Sequence, residues 1–234
     1  MSRDEIELFL KALVGEPKYV QRGMLLWLLT AARISEVVQA RSCEVVDGVW
    51  TIPSPRVKNS LAHMIALGPW GRSLMRSDDE WVFQAEKKEG PRNNSAWYKA
   101  RDRVQARMSE VAGHPIERFT PHDFRRTARS NTKRLKVDFE TAEAMMNHLR
   151  SGMERIYDHY EMEEEKAAWF LTWENEVIDI ANQAGVAFAL GVPGAHAANC
   201  VLRYRLVIRL PKRSGRQPSV HISAPKARTL AELA

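Results

Sequence analysis

The sequence has little cysteine, with only Cys43 and Cys200 among its 234 residues. Two cysteines so far apart cannot form a disulfide framework, and no Cys-x-x-Cys pair offers a zinc site. The sequence also lacks an apolar run of membrane-spanning length, and its charged N-terminus is unlike a signal peptide. These absences argue against a disulfide-rich secreted scaffold, a zinc module and a membrane protein, and the expected compartment is a reducing cytoplasm.

The remaining composition is that of an ordinary globular protein, with 44% hydrophobic and 27% charged residues. This mixture excludes collagen-like, coiled-coil and wholly disordered chains. The net charge of +6 is unevenly placed. Residues 92–136 hold twelve basic and four acidic side chains, whereas residues 138–165 hold nine acidic and two basic ones. Such a basic block can follow a phosphate backbone, but a solvated helix face balanced by the acidic block explains it equally well.

The spacing of apolar residues predicts a mainly α-helical domain with a small three-stranded antiparallel β-sheet. A period near 3.6 marks the N-terminal segments and most of residues 95–181, whereas a period of two surrounds an Asp47-Gly48 turn. The predicted strands are residues 44–46, 49–52 and 63–67. We predict one domain over residues 1–182. Residues 183–234, with eight basic residues and one acidic residue, are predicted to form a poorly ordered tail rich in Gly, Ala, Pro and Arg.

Two short patterns in the first third of the chain place a cation at a turn. Arg33 follows a buried helical segment, and Glu36 lies three residues later, within reach of its guanidinium across one helical turn. Lys58 lies in the polar turn between two predicted strands, where a long side chain projects beyond the sheet. Taken singly, each pattern is more often a surface ion pair or a solvated lysine.

Two further patterns lie in the helical half. His122 and Arg125 share one face at a helix start, next to the partial positive charge of the N-terminus, which favours anions. An Asn147-His148 pair precedes Tyr157 by a short interval. An isolated His or Tyr in such a position is usually a packing residue whose polar tip is satisfied.

In this order and spacing, these side chains resemble those of the tyrosine recombinase, or phage integrase, family. More narrowly, residues 50–67 and 147–173 are similar to the integrases of satellite phages and genomic islands. In those proteins an Asn-His pair and a Tyr-Asp segment precede an acidic helix that ends in tryptophan. The resemblance covers about residues 4–180 and implies the mainly helical catalytic domain of that family.

The resemblance also implies a role for each residue. Tyr157 matches the nucleophile, which forms a 3′-phosphotyrosyl bond with DNA without ATP, and Tyr160 is a rival nucleophile at the wrong distance from His148. The other matches are Arg33 and Arg125 to the catalytic arginines, Lys58 to the hairpin lysine, His122 and His148 to the two histidine positions, with Glu36 and Asp123 in support. His122 is the candidate general base and Lys58 the candidate general acid. Because the two arginines take the place of a metal, we expect neither metal nor cofactor.

The expected partner is double-stranded DNA, on which the family assembles as a tetramer, in the nucleoid of a bacterial or phage-derived system. Members of the family usually carry an N-terminal core-binding domain, whereas here the catalytic motifs begin almost at Met1. Two hypotheses therefore stay open: an active site-specific recombinase, or a truncated remnant that binds DNA without useful turnover. A type IB topoisomerase shares this chemistry but not the segments after Asn147. A helical interaction module would leave the ordered motifs unexplained.

Overall fold

The structure is a computed structural model that describes residues 1–148 and 163–195. Its helices are α1 (Arg3–Leu13), α2 (Lys18–Thr30), α3 (Ile34–Val38), α4 (Pro69–Leu74), α5 (Asn94–Ala112), α6 (Pro121–Asn131), α7 (Phe139–Met145) and α8 (Glu163–Gln183). Its strands are β1 (Val45–Val46), β2 (Val49–Ile52) and β3 (His63–Ala66), with short 3-10 helices at Ser42–Glu44 and Ser54–Arg56. The predicted fold class is confirmed: the chain is mainly helical with one small sheet.

The sheet is an antiparallel meander in the order β1-β2-β3. Asp47 and Gly48 both have positive φ angles, of 50° and 83°. Such angles suit the tight turn that joins β1 to β2, because its twist matches that of the paired strands. In the second pair, Ile52 lies opposite His63, and both side chains are buried. The sheet therefore turns one apolar face, with a histidine in it, towards the helices.

Helix α2 is the centre of the core and packs against α3, α4, α6 and α8. Most of its side chains are buried, including Trp27, whose ring meets that of Trp97 edge to face at 5.1 Å between centroids. Gly23 makes this approach possible, because a Cβ atom there would lie 2.4 Å from Trp97 Cη2. The absence of a side chain at residue 23 is thus a packing requirement.

Helix α8 closes the other side of the core, against α1, α2, α7 and β3. The Trp173 indole donates to the carbonyl oxygen of Leu28 at 2.7 Å. Glu174, almost fully buried, accepts N–H hydrogen bonds from Gly68, Trp70 and Gly71 at 2.9 to 3.1 Å. The carboxylate therefore satisfies backbone donors at the start of α4 that have no partner within that helix.

Packing continues past the predicted domain boundary at residue 182. Ala187, Leu190 and Val192 are buried in the core, and the Trp70 indole donates to the carbonyl oxygen of Leu190 at 3.3 Å. Within the predicted tail, residues 183–195 thus pack on the domain, and residues 196–234 lie outside the described residues. In the part of the chain that the structure describes, no helix is both long enough and apolar enough to cross a membrane.

Candidate active site

Arg33 lies at a sharp turn between α2 and α3. Helix α2 ends at Thr30, its C-cap Ala31 takes the left-handed conformation with φ of 53°, and Arg33 forms the N-cap of α3. The buried Glu36 carboxylate accepts from the Arg33 backbone N–H at 2.6 Å and from its Nη1 at 2.8 Å. The ion pair that the sequence pattern indicated is therefore present. It fixes the guanidinium, whose side chain stays one quarter exposed.

Arg125 is almost fully buried and ties two turns together. Its Nη1 donates to the carbonyl oxygen of Ala31 at 2.7 Å, and its Nη2 donates to that of Met146. Burial, and then the positive charge of Arg33, lower the pKa of Arg125 to about 10. The guanidinium remains charged at pH 7. The two arginines are thus close enough to repel each other, an arrangement that an anion would relieve.

His122 occupies the first turn of α6, three residues before Arg125, and is exposed. Partial burial, followed by the charges of Arg126 and Arg125, lowers the pKa of His122 below its ordinary value. The imidazole is therefore neutral at pH 7 and can accept a proton.

Asp123 supports the helix that carries these residues. Its Oδ2 accepts from the backbone N–H and from the hydroxyl of Thr120, both at 2.7 Å, and its Oδ1 accepts from exposed Arg126. This is a capping box at the start of α6. Asp123 therefore orients His122 and Arg125 through the helix rather than through a contact with either side chain.

His148 follows α7 and is exposed. Its Nδ1 lies 2.7 Å from Glu143 Oε2, and the other carboxylate oxygen accepts from Arg129 Nε at 3.0 Å. Burial raises the pKa of Glu143, but the hydrogen bonds from His148 and Arg129 outweigh that effect and leave the pKa below its ordinary value. An ionised Glu143 holds the proton of the His148 ring on Nδ1 when the ring is neutral. Among the described residues, this leaves Nε2 for a ligand.

Lys58 lies at the second position of a turn in which Ser60 N donates to the carbonyl oxygen of Val57 at 2.9 Å. Its side chain is exposed. The next residue, Asn59, donates from Nδ2 to the carbonyl oxygen of Asn147 at 2.7 Å. The hairpin turn with Lys58 is therefore attached to the turn with His148.

Two residues of this region were not predicted from the sequence. His63 is 2% exposed, and its Nε2 lies 3.1 Å from the carbonyl oxygen of Met145. Burial, and then the charge of Arg125, lower its pKa to about 3. The other is Glu143, the partner of His148. The alternation of His63 with Ile65 along β3 is a signal that it faces the core, whereas the spacing of Glu143 from His148 is not that of a helical pair.

Three consecutive carbonyl oxygens, those of Met145, Met146 and Asn147, thus lie within hydrogen-bonding distance of side chains from three elements. His63 comes from β3, Arg125 from α6 and Asn59 from the hairpin turn. Through these contacts the segments that carry Arg33, Lys58, His122, Arg125 and His148 meet at one place. The predicted nucleophile Tyr157 and its rival Tyr160 lie outside the described residues.

No group of three or more His, Cys, Asp or Glu side chains in the described ranges, 1–148 and 163–195, is placed to hold a metal ion. The side chains gathered here include the cations Arg33, Lys58 and Arg125 and the imidazole of His122, whose pKa is lowered. Chemically, such a group of side chains can bind an anion and move protons to and from it.

Comparison with known proteins gives a family and a fold. The sequence profile of the phage integrase family matches residues 1–164. No curated protein matches the chain. Among solved structures, the integrase from mycobacterium phage Brujita superimposes with a TM-score of 0.53 at 14% sequence identity, over 74% of this chain and 57% of that one. At this identity the likeness shows a shared fold, and the chain matches little more than half of that integrase.

Proposed function

The chain belongs to the phage integrase family, and from that premise we propose that it is a tyrosine-type site-specific DNA recombinase. It cuts and rejoins DNA through a covalent 3′-phosphotyrosyl intermediate, without metal or ATP. The observation that carries the proposal is that two arginines, Arg33 and Arg125, lie close together at the Ala31 turn. Both also lie near His122.

In the proposed reaction, the Tyr157 hydroxyl oxygen attacks the scissile phosphorus. A bond forms between that oxygen and phosphorus, and the bond from phosphorus to the 5′-oxygen breaks. The tyrosine proton passes to His122, whose lowered pKa leaves it neutral and able to act as the base. The 5′-oxygen takes a proton from Lys58 and leaves as a hydroxyl. The phosphodiester energy is kept in the new bond, so a second strand's 5′-hydroxyl can reverse the step.

Charge neutralisation at the phosphate supplies the largest part of the rate in this proposal. Arg33 is held by Glu36 and still partly exposed, so its N–H groups that have no partner among the described residues can donate to a non-bridging oxygen. Among the described residues, Arg125 donates to Ala31 and Met146 through two of its N–H groups, which leaves others that can donate to the phosphate. His148, with Nδ1 held by Glu143, donates from Nε2 once protonated.

The proposed partner is double-stranded DNA, with the protein acting at the nucleoid as a homotetramer. Exposed lysines between positions 92 and 136, such as Lys99, Lys133 and Lys136, and the basic residues beyond position 183 are suited to phosphate contacts that weaken as salt rises. We assign the protein to the satellite-phage and genomic-island type of integrase, on the Asn147-His148 pair and on the acidic start of helix α8, the helix that contains Trp173.

A covalent-capture experiment tests this function. The protein is incubated with a pool of nicked duplexes that have a randomised centre, with EDTA present, and adducts are isolated under denaturing conditions and sequenced. A recombinase gives a denaturation-resistant adduct whose DNA shares a common sequence. DNA binding without an adduct would instead support the truncated-remnant hypothesis. Relaxation of supercoiled DNA without strand exchange would support a type IB topoisomerase.

A further inference from the structure

Two asparagines join the hairpin turn to the α7 turn through their side-chain amides. Asn59 Nδ2 donates to the backbone carbonyl of Asn147 at 2.7 Å. In return, Asn147 Nδ2 donates to the carbonyl oxygen of Leu61 at 3.1 Å and lies 3.4 Å from Asn59 Oδ1. Asn59 Oδ1 also accepts from the Leu61 backbone N–H at 3.1 Å. We call these contacts the amide clasp.

The backbone alone does not explain the asparagine at position 147. Its φ angle is 47°, in the left-handed region that glycine adopts most easily and asparagine tolerates. Glycine would satisfy this conformation at lower cost, but it could not donate to the Leu61 carbonyl. The side chain therefore adds contacts that the turn itself does not require.

The clasp lies between two residues of the proposed catalytic set. Lys58 is flanked by Val57, which is buried in the core, and by Asn59, which is bound to the α7 turn. His148 is the residue after Asn147. An exposed lysine on an unanchored hairpin tip would sample many positions, whereas proton transfer requires one.

We infer that Asn59 and Asn147 are positioning residues, whose amide clasp holds the Lys58 turn against the His148 turn so that Lys58 can protonate the leaving 5′-oxygen. The inference rests on the proposed function. It assigns the clasp a role in one step, departure of the 5′-oxygen, and none in binding the phosphate. Loss of the clasp should therefore resemble loss of Lys58 itself.

The decisive variant is Asn147→Gly, which keeps the left-handed backbone and removes the amide. Cleavage is measured on duplexes selected in the covalent-capture experiment, made with either a normal 5′-oxygen or a sulfur at the scissile 5′ position. When sulfur leaves, the phosphorus–sulfur bond breaks and a thiolate departs without needing a proton. On the oxygen substrate we expect Asn147→Gly to cleave about 10- to 100-fold more slowly than wild type, as for a weakened general acid. On the sulfur substrate we expect a rate within about threefold of wild type.

Two further variants serve as references for the Asn147→Gly cleavage rates. Lys58→Ala should show the same pattern of loss and rescue, with a larger loss. Ser60→Gly is the matched control, because Ser60 lies in the same loop with a positive φ of 57° but outside the clasp. It should cleave both substrates like wild type. Equal loss of Asn147→Gly activity on the two substrates, or no loss on either, would overturn the inference.

A measurement without DNA separates the clasp from the proposed function. Backbone ¹⁵N relaxation of the whole chain should report rigid amides at residues 57–61 in wild type. In Asn147→Gly their order parameters should fall from about 0.85 towards about 0.6, whereas in Ser60→Gly residues 57–59 should stay rigid. If the wild-type protein were inactive on DNA but its hairpin behaved as expected, the proposed recombinase function would be contradicted and the amide clasp would not. An unchanged hairpin in Asn147→Gly would count against the clasp whatever the activity.

Discussion

The guanidinium of Arg125 donates a 2.7 Å hydrogen bond to the carbonyl oxygen of Ala31, two residues before Arg33. One buried cation thus fixes the turn on which the second cation stands. Its other hydrogen bond, to Met146, fixes the turn that leads to His148. Arg125 therefore serves the fold and the proposed chemistry together, and its removal should affect both.

Arg125→Ala should lower DNA cleavage by about two to three orders of magnitude, as for loss of one preorganised donor at the transition state. It should also lower the free energy of unfolding by about 2–3 kcal/mol, because two buried carbonyl groups lose their partner. Single-turnover cleavage at saturating DNA and urea unfolding measure the two effects.

Arg126→Ala is the control. It removes the same charge from an exposed side chain paired with Asp123, so stability should change by less than about 1 kcal/mol. An Arg125→Ala protein of wild-type stability would contradict the bridging role.

Tyr157→Phe removes one oxygen and no positive charge. Covalent attachment to DNA should be abolished, while the noncovalent dissociation constant, measured at one fixed salt concentration, should stay within about twofold of wild type because phosphate contacts dominate affinity. Denaturing gels and fluorescence anisotropy give the two values. Tyr160→Phe, three residues further on, should keep the adduct. An adduct in Tyr157→Phe that disappears in Tyr160→Phe would move the nucleophile to Tyr160.

His63 should make the protein less stable in mild acid. Its pKa is about 3 in the folded protein, against an ordinary value of 6.5, because it is buried and faces the charges of Arg125, Lys166 and Arg33. Between these two pH values the unfolded chain binds a proton that the folded chain does not. The stabilising effect of a neutral His63 is therefore complete above pH 6.5 and is lost as the pH falls towards 3. Over this range, the contribution of His63 to the unfolding free energy falls by up to about 1.4 kcal/mol for each pH unit.

Urea unfolding from pH 8 to pH 5 measures this slope. His63→Gln keeps an N–H donor for the Met145 carbonyl but does not titrate, so its unfolding free energy should depend less on pH than that of wild type. Parallel curves for wild type and His63→Gln would show that folding does not change the pKa of His63, and would contradict the prediction.

Gly23→Ala should destabilise the fold although alanine is the better helix former. The gain in helix propensity is at most about 1 kcal/mol, whereas a Cβ placed 2.4 Å from the buried Trp97 ring forces the core to shift, at a cost of about 1–3 kcal/mol. Thermal unfolding should show a lower Tm. In a Trp97→Phe background, which makes room, the same substitution should cost less. Equal costs in both backgrounds would mean that the ring is not the obstacle.

The sequence by itself determined the features that depend on near neighbours in the chain. The period-two stretch around Asp47-Gly48 predicted β2 at residues 49–52, where the structure has it. A spacing of three residues predicted that Glu36 binds Arg33 and that His122 lies on the same helix face as Arg125, because residues one helical turn apart are neighbours. The Gly- and Ala-rich composition after residue 183 does not reveal that Leu190 and Val192 are buried.

Tertiary structure decided how these pieces act on one another. Arg125 reaches Ala31 across 94 residues, Asn59 reaches Asn147 across 88, and His63 reaches Met145 across 82. No periodicity or cap signals such contacts, because each depends on how the sheet, α6 and α7 pack around α2 and α8. The same packing desolvates His63 and Arg125 and so sets their pKa values. Local sequence patterns identify the candidate charged residues. Only the packing of the core determines which of them are buried and which carbonyl groups they bind.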